Sequence, residues 1–292
     1  MASSRLSHSP LGANASFDFG PPGELAGFAV PTGHPPSQDV YVGCRADPDA
    51  SWNLLPCFNP SPGGPPPLPK GRYGRFLAWA GDKWMIGPLV FKLCTPFFLK
   101  PDDDDRFRYA PVVCGYLEYD NTHSPASAEL VFGVSGAGEP INGPSLAGFG
   151  FAGSHGFATT ASSEVSLRRD HELFGAKIGR ASAFHFVVPP HSKRIHPLVF
   201  GFFQPGFHYT HHFADLDDVL AYGVSAHSRY LAASDARDAE FMRSSAAPDC
   251  KTRVATETRA WLAASRRLAG DPEVDLTPLR SLHASLTAPH QP

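Results

Sequence analysis

The alternation of apolar and polar positions in this chain has period two over most of its length. In the segment Glu129 to Val134, Leu130, Phe132 and Val134 fall on one face, the spacing of a half-buried strand. Phe184, Phe186 and Val188 repeat the pattern before Pro189-Pro190, and Leu198 to Phe203 follows as another strand. Val112 to Tyr119 reads as a strand ended by the turn-forming pair Asp120-Asn121. Trp84 to Leu93 is apolar enough for one core strand, with a kink or edge at Gly87-Pro88. Several strands separated by turn signals predict a mainly β fold, an antiparallel β-sandwich.

The period changes near residue 215. Asp215 is placed to cap a helix, and Leu216, Val219, Leu220, Val224, His227 and Leu231 form a stripe at helical spacing. A second helix is predicted from Lys251 to Ala269, with Val254, Trp261, Leu262, Ser265 and Leu268 on one face. Gly270 and Pro272 end it. Thr277-Pro278 starts a short third helix carrying Leu279, Leu282 and Leu286. The division is therefore a sandwich over 1–214 and two or three helices over 215–292. So few helices cannot enclose a core alone, so their apolar faces need the sandwich or a further domain.

Composition agrees with a turn-rich body: 27 glycines, 30 prolines and 22 phenylalanines favour strands and turns over a helical bundle. A net charge of −3 argues against a nucleic-acid partner. No apolar stretch reaches membrane-spanning length, and Met1 to Pro10 has no signal-peptide core, so a soluble, cytoplasmic chain is expected. Cys44, Cys57, Cys94, Cys114 and Cys250 are scattered without a Cys-x-x-Cys, and reduced thiols are expected.

The candidate chemistry is thin. Glu118 and Asp120 share a strand face at i, i+2, which suits paired carboxylates and equally a polar strand end. His208-Tyr209-Thr210-His211-His212 is the most metal-like cluster, since His208 and His212 would face together on a helix. It precedes the cap at Asp215 and has no third ligand at a convincing spacing, so a polar loop is the expected reading and no metal is assigned. Asp102 to Asp105 reads as a solvated loop tip, because no EF-hand spacing surrounds it. Pro60 to Pro69 reads as a surface loop. Gly148 to Gly153 matches a phosphate loop only superficially, and Ser9 beside His8 is no dyad. Trp52, Trp79, Trp84 and Tyr73 could stack on sugar rings, with core packing the plainer role. No cofactor motif is present.

The opening His8-Ser9-Pro10-Leu11-Gly12-Ala13-Asn14-Ala15-Ser16-Phe17 resembles the start of glycoside hydrolase family 52 β-xylosidases, which begin His-Ser-Pro-x-Gly-Ala-x-Ala-Ser-Phe. The resemblance continues in Gly20-Pro21-Pro22-Gly23, in Pro35 to Gly43, and in Leu55-Pro56-Cys57-Phe58. It then recurs, less specifically, in Asp120-Asn121-Thr122, in Phe174 to Gly179, and in Tyr209-Thr210 with Phe213, running in order from Leu6 to Phe241. It implies an N-terminal sandwich, a helical linker and a C-terminal (α/α)6 barrel that hydrolyses β-1,4-xylosides with retention. Retention needs two carboxyl groups about 5–5.5 Å apart. In the family both belong to the barrel, which is absent from this chain, and the nucleophile follows an asparagine; no Asn-Glu pair occurs here. No catalytic residue is therefore carried over. The implied partners are a catalytic barrel in cis or trans, a second copy of the chain, or a xylooligosaccharide. The alternative is a stand-alone carbohydrate-binding or scaffold module.

Overall fold

The computed structural model describes residues 6–20, 26–31, 38–59, 65–98, 104–169, 174 and 180–287. Gly23, Pro35 to Ser37, Asp102, Asp103, Gly175 to Gly179 and residues 60–64, which carry parts of the expectations above, lie outside them.

Two antiparallel sheets face one another. The smaller has the order β14 (Val165–Arg168), β15 (Ala181–Val188), β10 (Ala128–Ser135), β4 (Val40–Arg45) and β5 (Asn53–Leu54). The larger runs β11 (Glu139–Asn142), β12 (Leu146–Phe151), β13 (His155–Thr160), β16 (Lys193–Phe202), β9 (Val112–Asp120), β8 (Leu89–Cys94), β7 (Gly81–Ile86) and β6 (Gly74–Leu77). A third, short sheet of β1 (Leu6–His8), β2 (Ser16–Phe19) and β3 (Gly27–Ala29) sends Phe17, Phe19 and Phe28 into the same core. The expected in-facing sets meet there: Leu130, Phe132 and Val134 of β10 and Phe184, Phe186 and Val188 of β15 are all fully buried. The Phe132 ring sits 5.3 Å from Phe157 and 5.4 Å from Phe200, both edge-on, the arrangement that aromatic quadrupoles favour.

Trp84 to Leu93 is not one kinked strand. It is a hairpin in which Trp84 pairs with Phe91 and Ile86 with Leu89, turned by Gly87 at φ +53° and Pro88. A continuous apolar run hides such a turn, because both strands bury their in-facing residues and the only signal is a Gly-Pro pair.

The outer face of the larger sheet carries the helices. Leu216, Val219 and Leu220 of α2 (Leu216–Ser225) pack on Val112, Cys114, Ala158 and Val199, joined by Tyr230 of α3 (His227–Arg243). Asp215 caps α2, its carboxylate accepting from the Asp218 amide at 2.9 Å. The predicted stripe divides at Ala226, whose φ −94° and ψ 3° break the helix. His227 then turns inward, and its Nε2–H donates to Gly115 O at 2.6 Å. Among the described residues the helical region thus holds four helices, adding α4 (Pro248–Ala264) and α5 (Thr277–Thr287). These two build a second cluster in which Val254, Leu262, Leu279 and Leu286 enclose Leu11, Trp79 and Phe97.

The second helix was expected over Lys251 to Ala269; it begins at Pro248 and stops at Ala264. Residues 265–268 leave the helix because the N-terminal segment competes for their backbone groups. Gly12 N–H donates to Ser265 Oγ (2.9 Å), Asn14 N–H to Ser265 O (3.2 Å) and Arg267 N–H to Gly12 O (2.9 Å). Gly12 has φ +74°, and a Cβ there would lie 3.3 Å from Arg267 Cβ, so a glycine is needed for this approach. His8 and Ser9 of the opening motif are buried, with His8 Nδ1 3.0 Å from Thr95 Oγ1.

A buried ionic group bolts α4 to the β6–β7 turn. Arg259 is buried and donates to Gly81 O at 3.1 Å, and burial pushes its guanidinium down to about 10 despite nearby Asp82 and Asp238. Asp82 is buried and held by Arg75 through two bonds of 2.9 and 2.8 Å. Among the described residues no helix is long and apolar enough to cross a membrane, and all five cysteines are unpaired.

Candidate functional site

Two histidines and one carboxylate, from segments far apart in sequence, converge beside the first turn after β16. A 3-10 turn over His208–His211 follows Phe207, and its shape is fixed by Thr210 Oγ1 donating to Phe207 O at 2.7 Å and by His212 N–H donating to Tyr209 O at 2.9 Å. This turn brings His208 and His212 to the same side without an α-helix. Facing them is Asp105, the first residue of α1 (Asp105–Tyr109), a short helix capped by Asp104, which accepts from Phe107 N–H at 3.0 Å.

The Asp105 carboxylate accepts from both imidazoles through one oxygen: Oδ2 lies 2.7 Å from His208 Nε2 and 3.2 Å from His212 Nε2. Its other oxygen, Oδ1, lies 3.6 Å from Arg267 Nη1. Burial pushes the carboxyl group up, but the two imidazole hydrogen bonds, with the charges of His208 and Arg267, hold it below the usual carboxylate range. Tyr109 packs edge-on to His208 at 5.3 Å and lies under the Arg267 guanidinium at 4.4 Å. Asp104 and Asp105 are therefore a helix cap and an ion-pair centre, not a solvated loop tip; Asp104 also meets Arg229 at 2.6 Å. The third group that the spacing around the histidines lacked is Asp105, 103 positions before His208. The pairing of β9, which follows α1, with β16, which precedes the histidine turn, brings the two together, so no local spacing could reveal it.

The other candidates separate. Glu118 is tied to Lys193 at 2.8 Å, while the exposed Asp120 accepts from Thr122 Oγ1 at 2.6 Å and its amide at 3.1 Å. Those bonds from Thr122 hold the Asp120 carboxyl below its ordinary range. Gly148 and Gly150 lie within β12 and Gly153 in the turn to β13, so no helix receives a phosphate there. Trp79 and Trp84 are buried, and Tyr73 stacks on Trp84 at 5.8 Å. Trp52 is half-buried, with Arg45 5.0 Å above its ring and Phe174 at 5.2 Å. Among the described residues, the carboxyl groups held above the ordinary range are Asp217, raised by desolvation and by Asp215, and Asp238, raised by desolvation. Asp217 sits exposed on α2, and Asp238 accepts from the amide of Ala80 at 2.7 Å.

A cleft of about 400 Å³ opens at one edge of the sandwich, lined in part by Asn53, Arg72, Gly87, Pro88 and Tyr119. A second, of about 450 Å³, lies between α4 and the segment before α5, with Trp261, Asp271, Glu273 and Asp275 on its walls.

The model of the family described as glycosyl hydrolase family 52 matches residues 17–274. Two curated proteins named "Beta-xylosidase", both from Geobacillus stearothermophilus, resemble the chain. One is 23% identical over 324 aligned positions, covering 90% of this chain and 52% of the relative. The other is 23% identical over 270 positions, covering 74% and 38%. The chain thus spans about half or less of the length of these relatives. With a match over most of its residues, the chain belongs to glycosyl hydrolase family 52.

Proposed function

We propose that this chain is the N-terminal sandwich portion of a β-xylosidase-like glycoside hydrolase and is inactive alone. Its role is to buttress an (α/α)6 barrel, supplied in cis or in trans, that carries the hydrolysis of β-1,4-xylosides and so contributes to xylan breakdown. The observation that carries this reading is the state of the carboxylates. Retaining hydrolysis needs a proton donor held above its ordinary pKa beside a second, ionised carboxyl group. Among the described residues the raised groups, Asp217 and Asp238, sit on a helix surface and on a pair of backbone amides, and Glu118, Asp120 and Asp105 are each engaged by cations, hydroxyls or imidazoles. The match to 52% of one relative and 38% of the other supports the same reading. The five unpaired thiols support a reducing, cytoplasmic setting.

The test is hydrolysis of an aryl β-xyloside by the purified chain, alone and mixed with the missing half of a relative. No turnover alone and turnover in the mixture supports the proposal; turnover by the chain alone overturns it.

A second reading, a stand-alone sugar-binding module, rests on the cleft beside Asn53, Arg72 and Tyr119, whose amide, guanidinium and phenol are groups that recognise neutral hydroxyls. Calorimetric titration with xylooligosaccharides tests it: saturable heat supports it and none sinks it.

A further inference from the structure

We propose that Asp105, His208 and His212 form a binding site for one divalent cation of the zinc type. Two imidazole nitrogens and one carboxylate oxygen are the donor set that suits Zn²⁺ and its borderline neighbours, rather than Ca²⁺ or Mg²⁺, which take oxygen ligands. One ligand atom from each residue lies within 4.8 Å of the others. Tetrahedral zinc, with bonds of about 2.0–2.1 Å, holds its ligand atoms about 3.3 Å apart. The His212–Asp105 separation of 3.2 Å already matches, and the 2.7 Å between His208 and Asp105 needs to open by roughly half an ångström.

The surroundings are those of a ligand set more than of a lone hydrogen-bonded clamp. Asp105 points Oδ2 at both imidazoles while Arg267 supports Oδ1 from behind, the outer-sphere contact that orients a ligating carboxylate. The Arg267 Nη1 is buried and makes no hydrogen bond among the described residues, so it can close on Oδ1 as the carboxylate turns toward a cation. His208 is anchored through its backbone, its N–H donating to Arg267 O at 2.9 Å, and its ring is braced by Tyr109. The ligands are therefore positioned before any ion arrives. Their side chains are 15%, 27% and 38% exposed for His208, His212 and Asp105, enough for an ion to enter and for water to take the fourth position.

To bind, each imidazole gives up the proton on Nε2, keeps one on Nδ1 and offers the freed Nε2 lone pair to the cation. The carboxylate gives up two N–H···O bonds and gains one bond to the ion. The cation then ties the start of α1 to the turn after β16, and through Arg267 to the segment that follows α4. This site is independent of the xylosidase reading and stands or falls without it.

The test uses the full 292-residue chain without a histidine tag, stripped with a chelator. Titration with Co²⁺ reports tetrahedral binding through visible d–d absorption, and Zn²⁺ then competes for the same site. One equivalent is expected to saturate the spectrum in the parent chain and in His211→Gln, the exposed neighbour. His212→Gln is expected to weaken binding at least ~10-fold, the scale of losing even an outer-sphere partner. Nitrogen chemical shifts of the histidine rings, read in the parent chain with one equivalent of Zn²⁺, provide a measure that needs no variant to fold. Shifts at His208 and His212 Nε2 are expected. No saturable cobalt spectrum, equal affinity in His212→Gln, or shifts confined to other histidines would overturn the proposal.

Discussion

Trp79 donates its indole Nε1–H to Thr258 Oγ1 at 2.9 Å, a bond that crosses 179 positions to join the turn after β6 to α4. Both residues are fully buried, so neither group can turn to water instead. The aromatic residue that the sequence offered as a sugar platform is thus the anchor of the helical layer. Replacing Thr258 with valine keeps the shape and strands the indole N–H in an apolar site. A loss of about 1–3 kcal/mol is expected, the cost of a buried unsatisfied donor. Urea unfolding checks it, and Thr258→Ser should recover most of the loss.

Gly223 sits in the middle of α2, where alanine would ordinarily stabilise a helix by about 1 kcal/mol. A Cβ there would lie 2.5 Å from Val199 Cγ1 and 3.1 Å from Val112 Cγ1, on the two strands beneath. Both valines are fully buried and have nowhere to move. Gly223→Ala is therefore expected to destabilise the chain, by roughly 1–3 kcal/mol. A raised melting temperature in this variant would show that α2 does not lie against β16 as described.

Asn121 follows the strand end at Asp120 and is buried. Its Nδ2 donates to Ala126 O at 2.9 Å and to Pro189 O at 3.0 Å, closing the loops after β9 and β15 together. In Asn121→Asp a carboxylate would face those two carbonyl oxygens with no proton to give them. A destabilisation of about 2 kcal/mol or more is expected at neutral pH, and Asn121→Ala should cost less because it buries no charge. Comparing the two by chemical unfolding separates the charge from the lost bonds.

His155 and His196 are pushed down to about 4 by burial. His196 stacks on Phe186 at 4.3 Å, and its Nε2 has no hydrogen-bond partner among the described residues. Between the folded value near 4 and the ordinary 6.5, the unfolded chain binds protons that the folded chain refuses. Stability is therefore fully present above 6.5 and falls with pH through that window. Each ring contributes at most about 3.5 kcal/mol, at about 1.4 kcal/mol per pKa unit. Unfolding measured from pH 7 to 4 should show the decline, and His196→Leu should make it shallower, leaving the share of His155.

The strands were legible because successive side chains alternate faces, so the large apolar residues Leu130, Phe132 and Val134, or Phe184, Phe186 and Val188, line one buried face. The helix cap at Asp215 and the start of the last helix at Thr277 were legible for the same local reason. The hairpin at Gly87 was hidden because both of its strands are apolar. The end of α4 was misplaced because Ser265 leaves the helix to pair with Gly12, a partner 253 positions away. The histidine site was half legible: the sequence displays His208 and His212, but their shared carboxylate comes from an acidic run that reads as a loop tip. The end of α4 and the histidine site turned on contacts between distant segments, which no local pattern contains, whereas the hairpin was a local turn masked by apolar residues on both sides.

The most direct test of the proposed role is hydrolysis of an aryl β-xyloside by the purified 292-residue chain, measured alone and after mixing with the part of a Geobacillus stearothermophilus β-xylosidase that this chain does not cover. No turnover above the uncatalysed rate is expected from the chain alone, and turnover is expected once the remaining part of the relative is supplied. Saturable turnover by the chain alone would contradict it, and would place the catalytic carboxylates within this sandwich.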